Sequence, residues 1–103
     1  MLKFTKKVLE IGAVMEKLKT KCGYVAYKGI RTEIILVTGG FGVCDMCAKP
    51  DKEMYIVPVL NSAMCCKCYE DWNNRAIYYE EDIPFERQFE KVFDKRINEK
   101  LED

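Results

Sequence analysis

The chain contains no histidine. The most frequent general base and the most frequent catalytic metal ligand are therefore both missing. It also has no net charge: 17 Lys and Arg balance 17 Asp and Glu across 103 residues. That balance argues against a protein built mainly on attraction to nucleic-acid phosphates or to anionic lipid headgroups. No apolar run approaches the roughly 18 residues of a membrane span, so no membrane partner is expected. Residues 1–18 carry Lys3, Lys6, Lys7, Glu10, Glu16 and Lys17 and lack the unbroken apolar core of a secretory signal. The expected setting is the reducing cytoplasm, where paired cysteines are read as metal ligands before disulfides. Gly39-Gly40-Phe41-Gly42 is glycine-rich but is not followed by the Lys-Ser/Thr of a phosphate loop. With no base, no nucleophile motif and no phosphate loop, the chain is expected not to be an enzyme.

The pattern that is present is Cys44-Asp45-Met46-Cys47, seventeen intervening residues, and then Cys65-Cys66-Lys67-Cys68. Two Cys-x-x-Cys pairs at this separation form a four-thiolate site, with Cys44, Cys47, Cys65 and Cys68 as the candidate metal ligands. Four soft thiolates in a tetrahedron suit Zn²⁺, the expected cofactor. Such a site is closed, with no position left for water or substrate, and its role is structural. The x2 spacing favours Cys65 with Cys68, although Cys66 with Cys68 is also conceivable. Cys22 and Cys66 are then plain small residues or unligated thiols. A short chain has a poor ratio of buried to exposed surface, and a metal staple offsets it.

Around this centre the reading is α+β, in three segments. Residues 1–43 form an α/β segment. Phe4, Val8, Ile11, Met15 and Leu18 recur at helical spacing, up to a stop at Cys22-Gly23. Tyr24–Tyr27 and Thr32–Thr38 then read as the two strands of a hairpin, the second rich in β-branched residues. Residues 44–82 form a four-cysteine zinc finger. Met54–Val59 is its first strand, on an edge or broken at Pro58. A short hairpin follows between the cysteine pairs, and a helix opens at Cys66 and runs to the residues before Pro84. Residues 83–103 form a C-terminal helix, with an apolar row from Phe85 to Leu101 long enough to serve as a homodimer face. Glu86, Glu90 and Asp94 make an acidic row on it, read as solvated and paired weakly with Arg87 and Lys91. Charge divides along the same line, with residues 1–43 at +5 and residues 44–103 at −5. Either the halves dock on each other or the basic half faces an acidic partner.

Two ligands on a loop, then a hairpin, then two ligands in the first turn of a helix resembles the treble-clef arrangement. The ligand spacing is similar to that of GATA-type fingers. Their DNA-binding basic residues are not matched, because Cys68 is followed by Tyr69-Glu70-Asp71-Trp72. A treble clef can also carry HNH-type nuclease chemistry, which needs histidine. The stretches Tyr55–Asn61, Cys65–Trp72 and Tyr78–Glu86 also resemble small zinc-finger proteins of phages and Firmicutes, a group that implies no reaction. The resemblance implies a small zinc-stapled domain, and a phage-encoded adaptor or inhibitor of a host protein would suit its size. The expected function is a non-catalytic, zinc-binding module for protein–protein interaction. The alternative is nucleic-acid binding through the basic N-terminal half, with Tyr24, Tyr27 and Phe41 stacking beside Lys21, Lys28 and Arg31.

Overall fold

The computed structural model describes residues 15–101. The order is β1 (Glu16–Lys19), β2 (Val25–Ile30), α1 (Arg31–Thr38), β3 (Glu53–Val57), β4 (Ser62–Cys65), α2 (Cys66–Arg75) and α3 (Ile83–Leu101). Single 3₁₀ turns occupy Pro58–Leu60 and Glu80–Asp82. The strands form one antiparallel sheet in the order β1-β2-β3-β4. The fold is mixed α+β, as expected.

Tyr27 pairs with Ile56 and Lys28 pairs with Tyr55, so Tyr27 and Tyr55 project from opposite faces of the sheet. Tyr27 meets α3, its ring edge-on to Phe93 with centroids 6.2 Å apart. Tyr55 meets α2, stacked flat on Tyr69 at 3.7 Å. Helix α1 packs beside α3 and against β3. Each face of the sheet is thus covered, and Ala26, Tyr27, Met54, Ile56, Val57 and Met64 are sealed from solvent between the layers.

Three expectations about elements are corrected. Phe4, Val8 and Ile11 of the first amphipathic stretch lie outside the described residues. Its end is not helical: residues 16–19 are strand β1, with Leu18 opposite Ala26 and Lys17 opposite Tyr27. Pairing with β2 overrides the helical period there. The second correction is Thr32–Thr38, a helix and not a hairpin strand. The position beside β2 that such a strand needs is taken by β3. The Glu33 carboxylate accepts from the Ile30 amide at 3.2 Å and caps the first turn. Ile34 and Val37, three apart, both reach the core, and Gly39 closes the helix with φ 73°. Third, α2 stops at Arg75. Asn73 and Asn74 use their side-chain oxygens to hold Lys21, through its amide and its ammonium respectively. The Tyr24 hydroxyl takes the Tyr79 amide at 2.8 Å, and the intervening residues leave the helix. Pro58 ends β3 and opens a 3₁₀ turn, where its missing N–H costs nothing.

The acidic row on α3 is a docking face and not a solvated one. Glu86 is buried and accepts from the Val25 amide at 2.7 Å. Glu90 meets Lys17 at 2.7 Å. Asp94 takes the Tyr27 hydroxyl at 2.6 Å and Lys17 at 3.1 Å. Burial and these carboxylates hold the Tyr27 phenol well above its ordinary pKa, so it stays a donor. Residues of the basic half therefore meet residues of the acidic half inside one molecule. The apolar row of α3 is divided: Phe93 and Ile97 are core, while Phe85 and Val92 are exposed.

Replacing Glu86 by alanine orphans the Val25 amide and should lower unfolding free energy by about 1–3 kcal/mol in urea titrations. Exposed Glu80→Ala should stay within about 0.5 kcal/mol. Glu33 gives a pH test. Its residue is 5% exposed, and its Oε2 has no hydrogen-bond partner among the described residues. Burial raises its pKa, while the Ile30 amide acts the other way. A carboxyl that holds its proton more tightly when folded loses stability as pH rises through its folded pKa. Glu33→Gln should therefore gain on wild type at neutral pH, and the gain should vanish below the ordinary carboxylate range.

Candidate metal centre

The first cysteine pair sits in a tight turn after the glycine loop. Arg31 of α1 fixes the approach, its Nε donating to the Gly42 carbonyl at 2.7 Å and its Nη2 to that of Phe41 at 3.2 Å. Gly42 has φ +74°, and a Cβ there would stand 2.7 Å from both Arg31 Nε and Ile35 Cδ1. Only glycine fits this approach. The turn closes on itself: Cys44 N–H donates to Lys49 O at 2.9 Å and Ala48 N–H to Cys44 O at 2.7 Å. Ala48 carries φ 62°, a left-handed conformation on a residue with a Cβ.

The second pair belongs to the junction of β4 and α2. Cys65 is the N-cap residue of α2, and its sulfur accepts from the Cys68 amide at 3.5 Å. Two aspartates join the pairs. Asp45 donates its amide to Ala63 O and accepts the Ala63 amide on Oδ2, each at 2.8 Å. Asp51 Oδ2 accepts from the Cys66 amide at 3.0 Å, one of the free amides at the start of α2. That bond, foremost, draws the Asp51 carboxyl below its ordinary pKa. Neither aspartate stood out in the sequence. The available signal was the question of which acceptor meets the first amides of the helix.

The result is a cluster. The sulfurs of Cys44, Cys47, Cys65 and Cys68 all lie within 4.8 Å of one another. Cys47 and Cys65 are 3.7 Å apart, against ~3.8 Å for the edge of a tetrahedron with bonds of about 2.3 Å. All six cysteines are free thiols. Cys44 and Cys65 are buried, and Cys47 and Cys68 lie towards solvent. Cys66 points elsewhere, its Sγ donating to Glu53 O at 3.4 Å. Its thiol is pushed up by burial and by the Asp51 charge. Cys22 stands apart, its sulfur 3.8 Å from Thr20 Oγ1.

No protein-family model, curated protein or solved structure matches this chain. The site rests on its own chemistry, and that chemistry is cationic in demand. Burial opposes ionisation of Cys44, but the amides of Cys65, Cys47 and Met46 outweigh it and bring the thiol down to about 7. Cys68 is pushed up to about 12, first by its contact with Cys65 and then by burial and the remaining sulfurs. Crowded sulfurs cannot all carry charge unaided. A divalent ion removes the conflict, because a coordinated thiol loses its proton outright. The donor set and its spacing fit one metal ion.

The stacking aromatics proposed for nucleic acid fare differently. Tyr24 and Tyr27 are 3% and 1% exposed and belong to the interior, while Phe41 is 90% exposed. Of the basic residues proposed beside them, the Lys21 ammonium is held by Asn74 and Arg31 by the Gly42 carbonyl, and Lys28 lies 3.7 Å from Glu53.

Cys47→Ser should reduce bound metal from one ion per chain to a trace by elemental analysis. Because β3 lies inside the sheet, residues 44–80 cannot unfold alone, and the whole chain should lose its cooperative transition together. Ala48→Gly removes a left-handed strain of roughly 1–2 kcal/mol, partly offset by glycine's larger unfolded-state entropy. A net gain of about 0.5–1 kcal/mol is expected in denaturant midpoints of the metal-loaded protein.

Proposed function

We propose that the chain is a non-catalytic, zinc-stapled interaction module that engages another protein, as an adaptor or an inhibitor. The observation that carries this reading is the closed set of four thiolates in a chain without histidine. Four protein ligands complete a tetrahedral zinc and leave no site for chemistry on it. The ligand-bearing turn, the β3–β4 hairpin and α2 follow the order of a treble clef, and we read them as one. Bound zinc would add folding free energy on the order of 10 kcal/mol by analogy with zinc-finger peptides. Reduced thiols suit a cytoplasmic setting. Burial of Tyr24 and Tyr27 weighs against the nucleic-acid alternative.

Two measurements test the reading. Protein purified under reducing conditions should contain one zinc per chain, and chelation should abolish its sharp thermal transition. Iron or no metal at native stability would overturn the zinc assignment. Photo-crosslinking in lysate should capture the same protein with and without nuclease treatment. Capture that disappears with nuclease would favour nucleic acid.

A further inference from the structure

The four clustered sulfurs are not equivalent. Cys44 and Cys65 are buried, Cys68 is half-buried and Cys47 is exposed. The backbone also shields the two buried sulfurs. Cys44 Sγ accepts from the Met46 amide at 3.3 Å, and Cys65 Sγ from the Cys68 amide at 3.5 Å. An amide that stabilises charge on a sulfur also lowers its nucleophilicity. Among the described residues no amide donates to Cys47 Sγ, which lies 3.7 Å from Cys65 Sγ. Cys47 is thus both the most accessible sulfur of the quartet and one without this shield. A thiolate of that kind is where an oxidant reacts first.

Cys47 and Cys65 belong to different pairs, eighteen residues apart. A bond between them would tie the turn that follows the glycine loop to the junction of β4 and α2. The backbones are already aligned there by bonds that involve no sulfur. Asp45 N–H donates to Ala63 O and Asp45 Oδ2 accepts from Ala63 N–H, each at 2.8 Å. A disulfide bond is about 2.0 Å long, so the two sulfurs need approach by only about 1.7 Å. A bond within either pair, Cys44 to Cys47 or Cys65 to Cys68, would leave the turn and the junction unlinked. Cys66 and Cys22 are turned to other partners, Glu53 O and Thr20 Oγ1.

We infer that the centre is an oxidation-sensitive staple: a peroxide converts Cys47 and Cys65 to a disulfide, the metal is released, and the new crosslink keeps the turn and the hairpin joined. The inference rests on reading the quartet as a metal centre. The Cys47 thiolate attacks one peroxide oxygen, the O–O bond breaks, and the departing hydroxide takes a proton from solvent to become water. The Cys65 thiolate then attacks the sulfur of the Cys47 sulfenic acid. The S–S bond forms, the S–O bond breaks, and a second hydroxide leaves and is protonated to water. Each sulfur has given up one electron, and the peroxide has taken both. Cys44 and Cys68 remain, two donors where a tetrahedral ion needs four. A crosslink across eighteen residues still restrains the unfolded chain, so the fold keeps a staple in either redox state.

The test titrates hydrogen peroxide into full-length, reduced, zinc-loaded protein. Zinc release is read with a chromogenic chelator, and crosslinks by tandem mass spectrometry after the remaining thiols are alkylated. One equivalent of peroxide per chain should release the zinc and give Cys47–Cys65 as the main disulfide. Cys66→Ser should change neither result. In the loaded protein, iodoacetamide should modify Cys47 about tenfold faster than Cys44 or Cys65. The oxidised, metal-free protein should keep a cooperative thermal transition that the chelated, reduced protein lacks, and dithiothreitol with zinc should restore the starting state. Zinc retained in excess peroxide, a main disulfide within either pair or to Cys22 or Cys66, or first alkylation at another sulfur of the quartet would overturn the inference and leave the metal centre standing. So would an oxidised protein as unfolded as the chelated one. A reduced protein that holds no metal would remove both.

Discussion

Strand β3 is bonded along both edges, to β2 on one side and to β4 on the other. Everything else in the molecule follows from that double pairing. It ties the N-terminal strands to the cysteine hairpin in one sheet, so the metal centre is an end of the core and not an appended finger. Met54, Ile56 and Val57 are sealed within it, which makes the hairpin as dependent on the sheet as the sheet is on the hairpin. A metal ion held by the four sulfurs would therefore be coupled to folding of the described residues as one unit, because the segment between the cysteine pairs is part of the sheet.

The second organising contact is electrostatic but local. Chain halves of opposite charge meet through a few specific bonds between β1–β2 and α3. Glu86 serves a buried backbone amide, and Asp94 serves a phenol and an ammonium together. Exposed ion pairs of this kind contribute little individually. The bond to Glu86 matters more because its donor has no water to return to. The same use of carboxylates recurs at the metal centre, where Asp45 and Asp51 connect the two ligand-bearing turns through backbone amides. Carboxylates thus add specific bonds between elements distant in sequence.

The clustering of the four cysteines, the hairpin between the two pairs and the break at Pro58 were legible in the sequence. Each is a local statement: sulfur reach across two residues, a strand bounded by turn residues, a ring without an N–H. The start of α3 near Pro84 was legible for the same reason. Thr32–Thr38 was misread because its β-branched residues favour a strand, and that preference yields to packing. Glu33 three residues after Ile30, and Gly39 after Thr38, were the helix signals to weigh against it. Met15–Leu18 was misread because an apolar pair three apart fits the helical period, which the pairing of β1 with β2 overrides.

By itself, then, the sequence determined the chemistry of the centre, because thiolate spacing is a property of a few adjacent bonds. It left open which of two neighbouring cysteines turns inward. Tertiary structure decided that: the Cys66 amide is taken by Asp51 and its sulfur by the Glu53 carbonyl, which leaves Cys65 to face Cys47. Tertiary structure also decided where the acidic row of α3 goes and which aromatics remain in water. Those outcomes depend on partners distant in sequence, sixty-one residues apart for Val25 and Glu86, and no local pattern encodes such a pairing.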